Sequence, residues 1–247
     1  DEFSRRGEDS LSPGYHVLGE HMRGGAAEYV AIPALNLTAM PEGMDFPTAA
    51  APLLVALTTW RMLIHRAGLK AGETVLVVGS GGGVNSMAIQ VAKLAGAVVY
   101  VIAGNRNKAE RAQELGADYV LDRSQVDWKR EIYKLTDRRG VDVVVDNVGQ
   151  ATISVSMAAV ARGGRIVIVG ITSGPLAEVD IRYIFGNQIS LIGRTMGSHQ
   201  DYQEVIKLIW SGKLKPIIDR VMPLSQGKVA YGIMERGEMY GKLVLVP

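Results

Sequence analysis

Between Thr74 and Ile192 the sequence switches repeatedly between short β-branched apolar runs and longer segments with apolar residues at helical spacing. That alternation is the strongest constraint on the fold, because parallel strands need long crossovers and helices supply them. Strands are predicted at 74–78, 98–102, 119–121, 141–146, 165–169 and 189–192. Val84, Met87, Ala88, Val91, Leu94 and Ala95 recur on one helical face that Gly96 can cap. Asn107 is read as the cap of a second helix through Ala112 to Leu115, stopping at Gly116. Two more helices are predicted at about 127–136 and 152–161.

The first strand runs into glycines: Val75-Leu76-Val77-Val78-Gly79-Ser80-Gly81-Gly82-Gly83-Val84-Asn85. Glycines at a strand-to-helix turn permit a tight bend and close approach of a pyrophosphate, whose charge meets free N–H groups at the helix start. Val84 stands where a strict G-x-G-x-x-G would have its third glycine, so the bare motif also fits a plain glycine turn; its strand-and-helix setting favours dinucleotide binding. The end of the second strand bears on cofactor choice, since an acidic residue there suits the ribose of NAD and basic or small polar residues suit the phosphate of NADP. Here it reads Ala103-Gly104-Asn105-Arg106-Asn107-Lys108, with no carboxylate and two cations, which favours NADP(H). The alternative is that Arg106 and Lys108 are a solvated helix start.

Residues 14–41 read as short strands and turns, with Gly24-Gly25 before Ala27-Glu28-Tyr29-Val30-Ala31-Ile32 and a break at Pro41-Glu42-Gly43. From Pro47 to Gly68 an Ala- and Leu-rich run predicts buried helix. The tail predicts a helix at 202–210, a strand around 217–221, a short helix from Ser225 and a last strand at 243–246. The 27 basic and 25 acidic residues are interspersed, so nothing argues for nucleic acid. No stretch is read as a membrane span and no signal peptide is found, so a cytoplasmic location is expected. The chain starts at Asp1 without Met, which suggests processing or a fragment lacking its front part. There is no cysteine, hence no disulfide and no thiolate zinc site.

Several motifs in order resemble the medium-chain dehydrogenase/reductases: Gly81 through Ala97, Glu114-Leu115-Gly116-Ala117-Asp118, Val145-Asp146-Asn147-Val148-Gly149, Gly163-Gly164-Arg165 and Gly241-Lys242-Leu243-Val244-Leu245. Leu18-Gly19-Glu20-His21, Gly24 through Val30, and Pro41-Glu42-Gly43 are similar to the zinc-containing alcohol dehydrogenase branch. The resemblance implies an α/β fold: a Rossmann doubly wound parallel sheet at 56–197, a partial GroES-like β-barrel catalytic domain at 1–55, and a C-terminal return to that domain at 198–247. It implies that Thr58 lies near the nicotinamide, that Gly79, Ser80, Gly82, Gly83 and Val84 cradle the pyrophosphate, and that Asn105, Arg106, Lys108 and Arg123 surround the adenosine phosphate. Val148, Gly170 and Thr195 would line the cleft and Lys242 would reach the cofactor phosphates. Bland readings stand beside these: Thr58 back-bonding in its helix, Val148 in the core, Arg123 and Lys242 as surface charges.

Departures from the pattern bear on metal. Three of the four structural-zinc cysteine positions fall on Asp1, Ser4 and Ser12, and hydroxyls replace thiolates poorly. The third catalytic zinc ligand would fall near Leu54, and the first two would precede Asp1. His16, His21, His65 and His199 lack metal-ligand spacing, so no zinc is expected from this chain. The implied function is hydride transfer between NADP(H) and a carbonyl, an alcohol or an activated alkene, resembling quinone or enone reductases; no general acid is identified. A zinc alcohol dehydrogenase with ligands outside these residues, and a non-catalytic NADP(H)-binding protein, are the alternatives. A homodimer is expected through the edge strand Ile189-Ser190-Leu191-Ile192-Gly193.

Overall fold

The computed structural model describes residues 1–247. Its first part holds a short helix α1 (Glu2–Arg5), a 3-10 turn at Asp9–Leu11 and another at Ala34–Asn36. The strands expected within 14–41 are not formed; only an isolated bridge joins Leu18 to Met22. Residues 23–32 make no main-chain hydrogen bond and Tyr29 is 90% exposed. A strand without a neighbour leaves its peptide groups unpaired, and these residues have none.

Helices α2 (Phe46–Ala50) and α3 (Leu53–Trp60) follow, then a π-helical turn, Arg61–Arg66, in which Ala67 N–H donates to the Met62 carbonyl at 2.9 Å. Phe46–Arg66 is long and apolar enough by composition to cross a membrane, which corrects the reading that no stretch is. Half of its most apolar window is buried inside the fold, the environment of a core helix.

The alternating region keeps the predicted order, with a further helix α8 and with β5 starting at Val160, inside the predicted helix 152–161: β1 (Thr74–Val78), α4 (Gly83–Leu94), β2 (Val98–Ala103), α5 (Arg106–Glu114), β3 (Tyr119–Asp122), α6 (Trp128–Leu135), β4 (Val141–Asp146), α7 (Ile153–Ala159), β5 (Val160–Ile168), α8 (Ile181–Asn187) and β6 (Ser190–Gly193). The cap of α5 is Asn105 instead of Asn107: its Oδ1 accepts from Lys108 N–H at 2.9 Å, which needs a donor three residues on. The chain ends with α9 (His199–Trp210), β7 (Ile218–Pro223), α10 (Gly227–Glu235) and β8 (Lys242–Val246). Asp201 closes a capping box with Ser198 and so starts α9 before the predicted residue 202.

Six parallel strands lie in the order β3-β2-β1-β4-β5-β6, the doubly wound arrangement. Strand pleating sends Val75, Val77, Val99, Val101, Val143 and Val145 to one face, under α3, α4 and α9. Leu76, Val78, Tyr100, Ile102 and Val144 go to the other, with Ile132 and Met157 of α6 and α7. Both faces are covered, which is why these strands are continuously apolar instead of alternating. β7 and β8 form a separate parallel pair.

Candidate functional site

Chain order reverses between β1 and β4, and in such sheets ligands bind outside the strand carboxyl ends at that reversal. After β1 the chain bends at Gly79, whose φ of +92° favours glycine and whose missing Cβ would lie 2.9 Å from the Asn85 amide nitrogen. Asn85 donates to the Val78 carbonyl at 3.0 Å and accepts from the Asn147 side chain at the end of β4. This amide pair spans the reversal and fixes the two loops to each other.

The glycine turn is closed from the far end of the chain. Gly241 N–H donates to the Gly81 carbonyl at 2.8 Å and Gly241 bridges Gly82. A Cβ on Gly83 would stand 2.7 Å from Lys242 Cδ and 3.0 Å from Val55 Cγ1; one on Gly81 would stand 3.1 Å from Lys108 Nζ. The structure thus gathers Gly79, Ser80, Gly82, Gly83 and Val84 with Lys108 and Lys242, although 158 positions separate Lys242 from Val84 in sequence (242 − 84). Ser80 is buried and its hydroxyl donates to the Lys108 carbonyl at 3.3 Å. Lys108 Nζ donates to the Gly237 carbonyl at 2.8 Å. Lys242 is different: no carboxylate lies within ion-pair distance, and burial holds its ammonium below the usual lysine range. An unneutralised, partly desolvated cation beside free helix N–H groups is a place for anionic oxygen.

Asn105 spends its side-chain oxygen on its cap. Arg106 is not gathered to the turn: its side chain is 90% exposed and pairs with Glu110 at 2.9 Å. Arg123 lies over the end of β2, its Nε 3.9 Å from where a Cβ of Gly104 would be, and makes no ion pair. Thr58 is buried with its hydroxyl 3.7 Å from Met196 Sδ, a contact to the segment after β6 instead of the helix back-bond. Val148 packs partly against the core beneath β4, as its bland reading had it, and its carbonyl accepts from Ser173 at 2.7 Å. Gly170 passes so close to Asn147 that a Cβ would stand 2.8 Å from its carbonyl oxygen. Thr195 faces a pocket with Arg61, Arg66 and Arg194.

Sequence reasoning passed over Asn85, Gly241 and Asp146. Asp146 is fully buried, and its carboxylate accepts from Val148 N–H, Gly149 N–H, Thr152 and Ser156 at 2.6–3.1 Å. It anchors the loop that carries Asn147. A carboxylate ending a continuously apolar strand was the available signal.

Comparison with known proteins decides the family. Residues 83–211 match the family model for zinc-binding dehydrogenases. The chain belongs to that family. Within it, an NAD-dependent alcohol dehydrogenase of Saccharolobus solfataricus is 33% identical over 99% of this chain and 71% of its own length. The human quinone oxidoreductase is 30% identical over 90% of this chain and 69% of its own. A crystal structure described as an NAD-dependent alcohol dehydrogenase superposes with TM-score 0.95 at 38% identity, covering all of this chain and 72% of that one. These similarities bear out the medium-chain dehydrogenase/reductase resemblance and the doubly wound fold, and make this member of the family an NAD(P)-dependent oxidoreductase.

Proposed function

We propose that the dehydrogenase moves a hydride between NADP(H) and a carbonyl, an alcohol or an activated alkene, without zinc held by its own residues. The observation that carries this reading is the unpaired Lys242 ammonium against the glycine turn, with Arg123 unpaired at the end of β2 where no carboxylate stands. A dinucleotide fits these residues: the turn leaves room only where side chains are missing, and Lys242 and the start of α4 offer positive potential to its phosphates. Arg123, with Asn105, Arg106 and Lys108 nearby in sequence, is assigned to the adenosine phosphate, and Thr58, Val148, Gly170 and Thr195 to the rest of the cleft. Bound there, the nicotinamide would supply the redox chemistry, and the chain's share is to position and to exclude water.

Zinc does not fit the residues present. No three His, Asp or Glu side chains are gathered where they could hold a metal ion. Asp1 and Ser12, at two of the former thiolate positions, hydrogen-bond to each other at 2.5 Å. Leu54 has no donor atom. Polarisation of a substrate oxygen then falls to hydrogen-bond donors. The alcohol dehydrogenase relatives favour a second reading, in which zinc ligands come from outside these residues.

The proposed division, 1–55 and 198–247 with the substrate and 56–197 with the nucleotide, is functional and not a break in packing, because Val205, Ile206 and Ile209 of α9 share the core of the sheet. NADPH oxidation assayed with a quinone, an enone and an aldehyde, before and after exhaustive chelation, tests the proposal. Turnover that survives chelation supports it; turnover lost with chelation and restored by zinc would transfer the case to the second reading.

A further inference from the structure

A cavity of about 380 Å³ opens beside the end of β6, lined by Leu11, Arg61, Arg66, Gly193, Arg194 and Thr195. Three guanidiniums around one cavity repel one another unless an anion joins them, and the acids in reach are few. Arg61 pairs with Asp201 at 3.0 Å and stands 3.9 Å from Glu8. Asp201 already accepts from Ser198 N–H and Ser198 Oγ, and meets His65 at 3.4 Å. Arg66 makes no ion pair, and Arg194 reaches only the Ser10 hydroxyl at 3.0 Å. The Nε–H groups of both Arg61 and Arg194 are buried with no acceptor at all. Buried donors without partners are rare in folded proteins, and here they belong to two of the three guanidiniums that line the cavity. Burial, with Arg61 and Arg66 adding to it, brings the Arg194 guanidinium down to about 10, so the cavity holds a cation that its surroundings disfavour.

We propose that this pocket binds an oxyanion of the phosphate class, at a site separate from the glycine turn. A tetrahedral dianion offers acceptors in several directions, so it can meet the guanidiniums of Arg66, Arg194 and Arg61 that line the cavity together; a carboxylate, flat and singly charged, would leave one guanidinium unmet. The volume exceeds a bare phosphate, so the group can arrive free or carried on a larger molecule.

The test uses the full chain, titrated with inorganic phosphate against sodium chloride at matched ionic strength and followed by melting temperature and by the arginine Nε–H resonances. The expected result is a saturable rise in Tm with shifts at Arg61 and Arg194. R66Q, at an exposed position, is expected to weaken phosphate by about tenfold, the worth of one charged hydrogen bond. K242Q is expected to leave phosphate affinity unchanged. Methyl phosphate separates the sources: its binding assigns the site to an esterified phosphate, its exclusion to the free ion. No saturable effect beyond chloride, or an effect lost in K242Q and kept in R66Q, overturns the proposal. NADPH fluorescence on the same samples reads the nucleotide cradle independently.

Discussion

Lys242 and Glu73 illustrate opposite consequences of placing a charge in this fold. The Lys242 ammonium is partly buried without a counter-ion, so its charge costs stability in the free chain and gains value only when an anion arrives. Lys242→Met is therefore expected to leave the melting temperature unchanged or raised while weakening NADPH by about tenfold or more, roughly 1.4 kcal/mol. Because the lysine titrates below its usual range, nucleotide affinity is expected to decline with rising pH earlier than an exposed lysine would dictate. Glu73 instead gains from its surroundings: Arg165 donates twice to it at 2.8 Å and holds its carboxyl below the usual 4.5. A depressed carboxyl stabilises the fold above its unfolded pKa, and that contribution disappears as pH falls through the folded value. Melting temperature is thus expected to drop as pH is lowered from about 4.5, and Glu73→Gln to cost about 1–3 kcal/mol at neutral pH while flattening that dependence. Arg106→Gln, which breaks only an exposed pair with Glu110, is expected to stay within about 0.5 kcal/mol by the same melts.

At the scale of elements, the sheet and its helices were legible because runs such as Val75–Val78 and Val98–Ala103 are apolar throughout and are followed at once by glycine, Gly79 and Gly104. The glycine turn was legible for the same reason, since only glycine accepts the φ at Gly79. Gly79→Ala is expected to cost about 1–3 kcal/mol in chemical denaturation, from positive φ and the approach to Asn85. What closes the turn from Gly241, and the amide pair Asn85–Asn147, could not be read from local pattern, because each depends on contacts distant in sequence. Residues 14–41 show the converse: turn and β-branched signals are present, but strand formation depends on a neighbour that pattern does not specify. Helix α8 was missed because its apolar residues Ile181, Tyr183 and Phe185 are exposed and no polar face contrasts with them.

For the whole molecule, β6 is one of the two edges of the six-stranded sheet, opposite β3, and Leu191 on it is exposed. Such an edge invites pairing with its two-fold mate, so a homodimer is expected by light scattering, and a mass that stays monomeric at high concentration would count against it. The glycine turn after β1, Asn147 after β4 and Lys242 come from three distant stretches of chain and meet at one end of the sheet, where they are expected to hold the pyrophosphate, while Arg123 at the end of β2 is expected to bear on cofactor choice. The most direct measurement is a fluorescence titration of the purified chain with NADPH and with NADH, with zinc content determined on the same sample. Tight NADPH binding, weaker NADH binding and zinc well below one equivalent are expected; preference for NADH, or binding of neither, would contradict the NADP assignment.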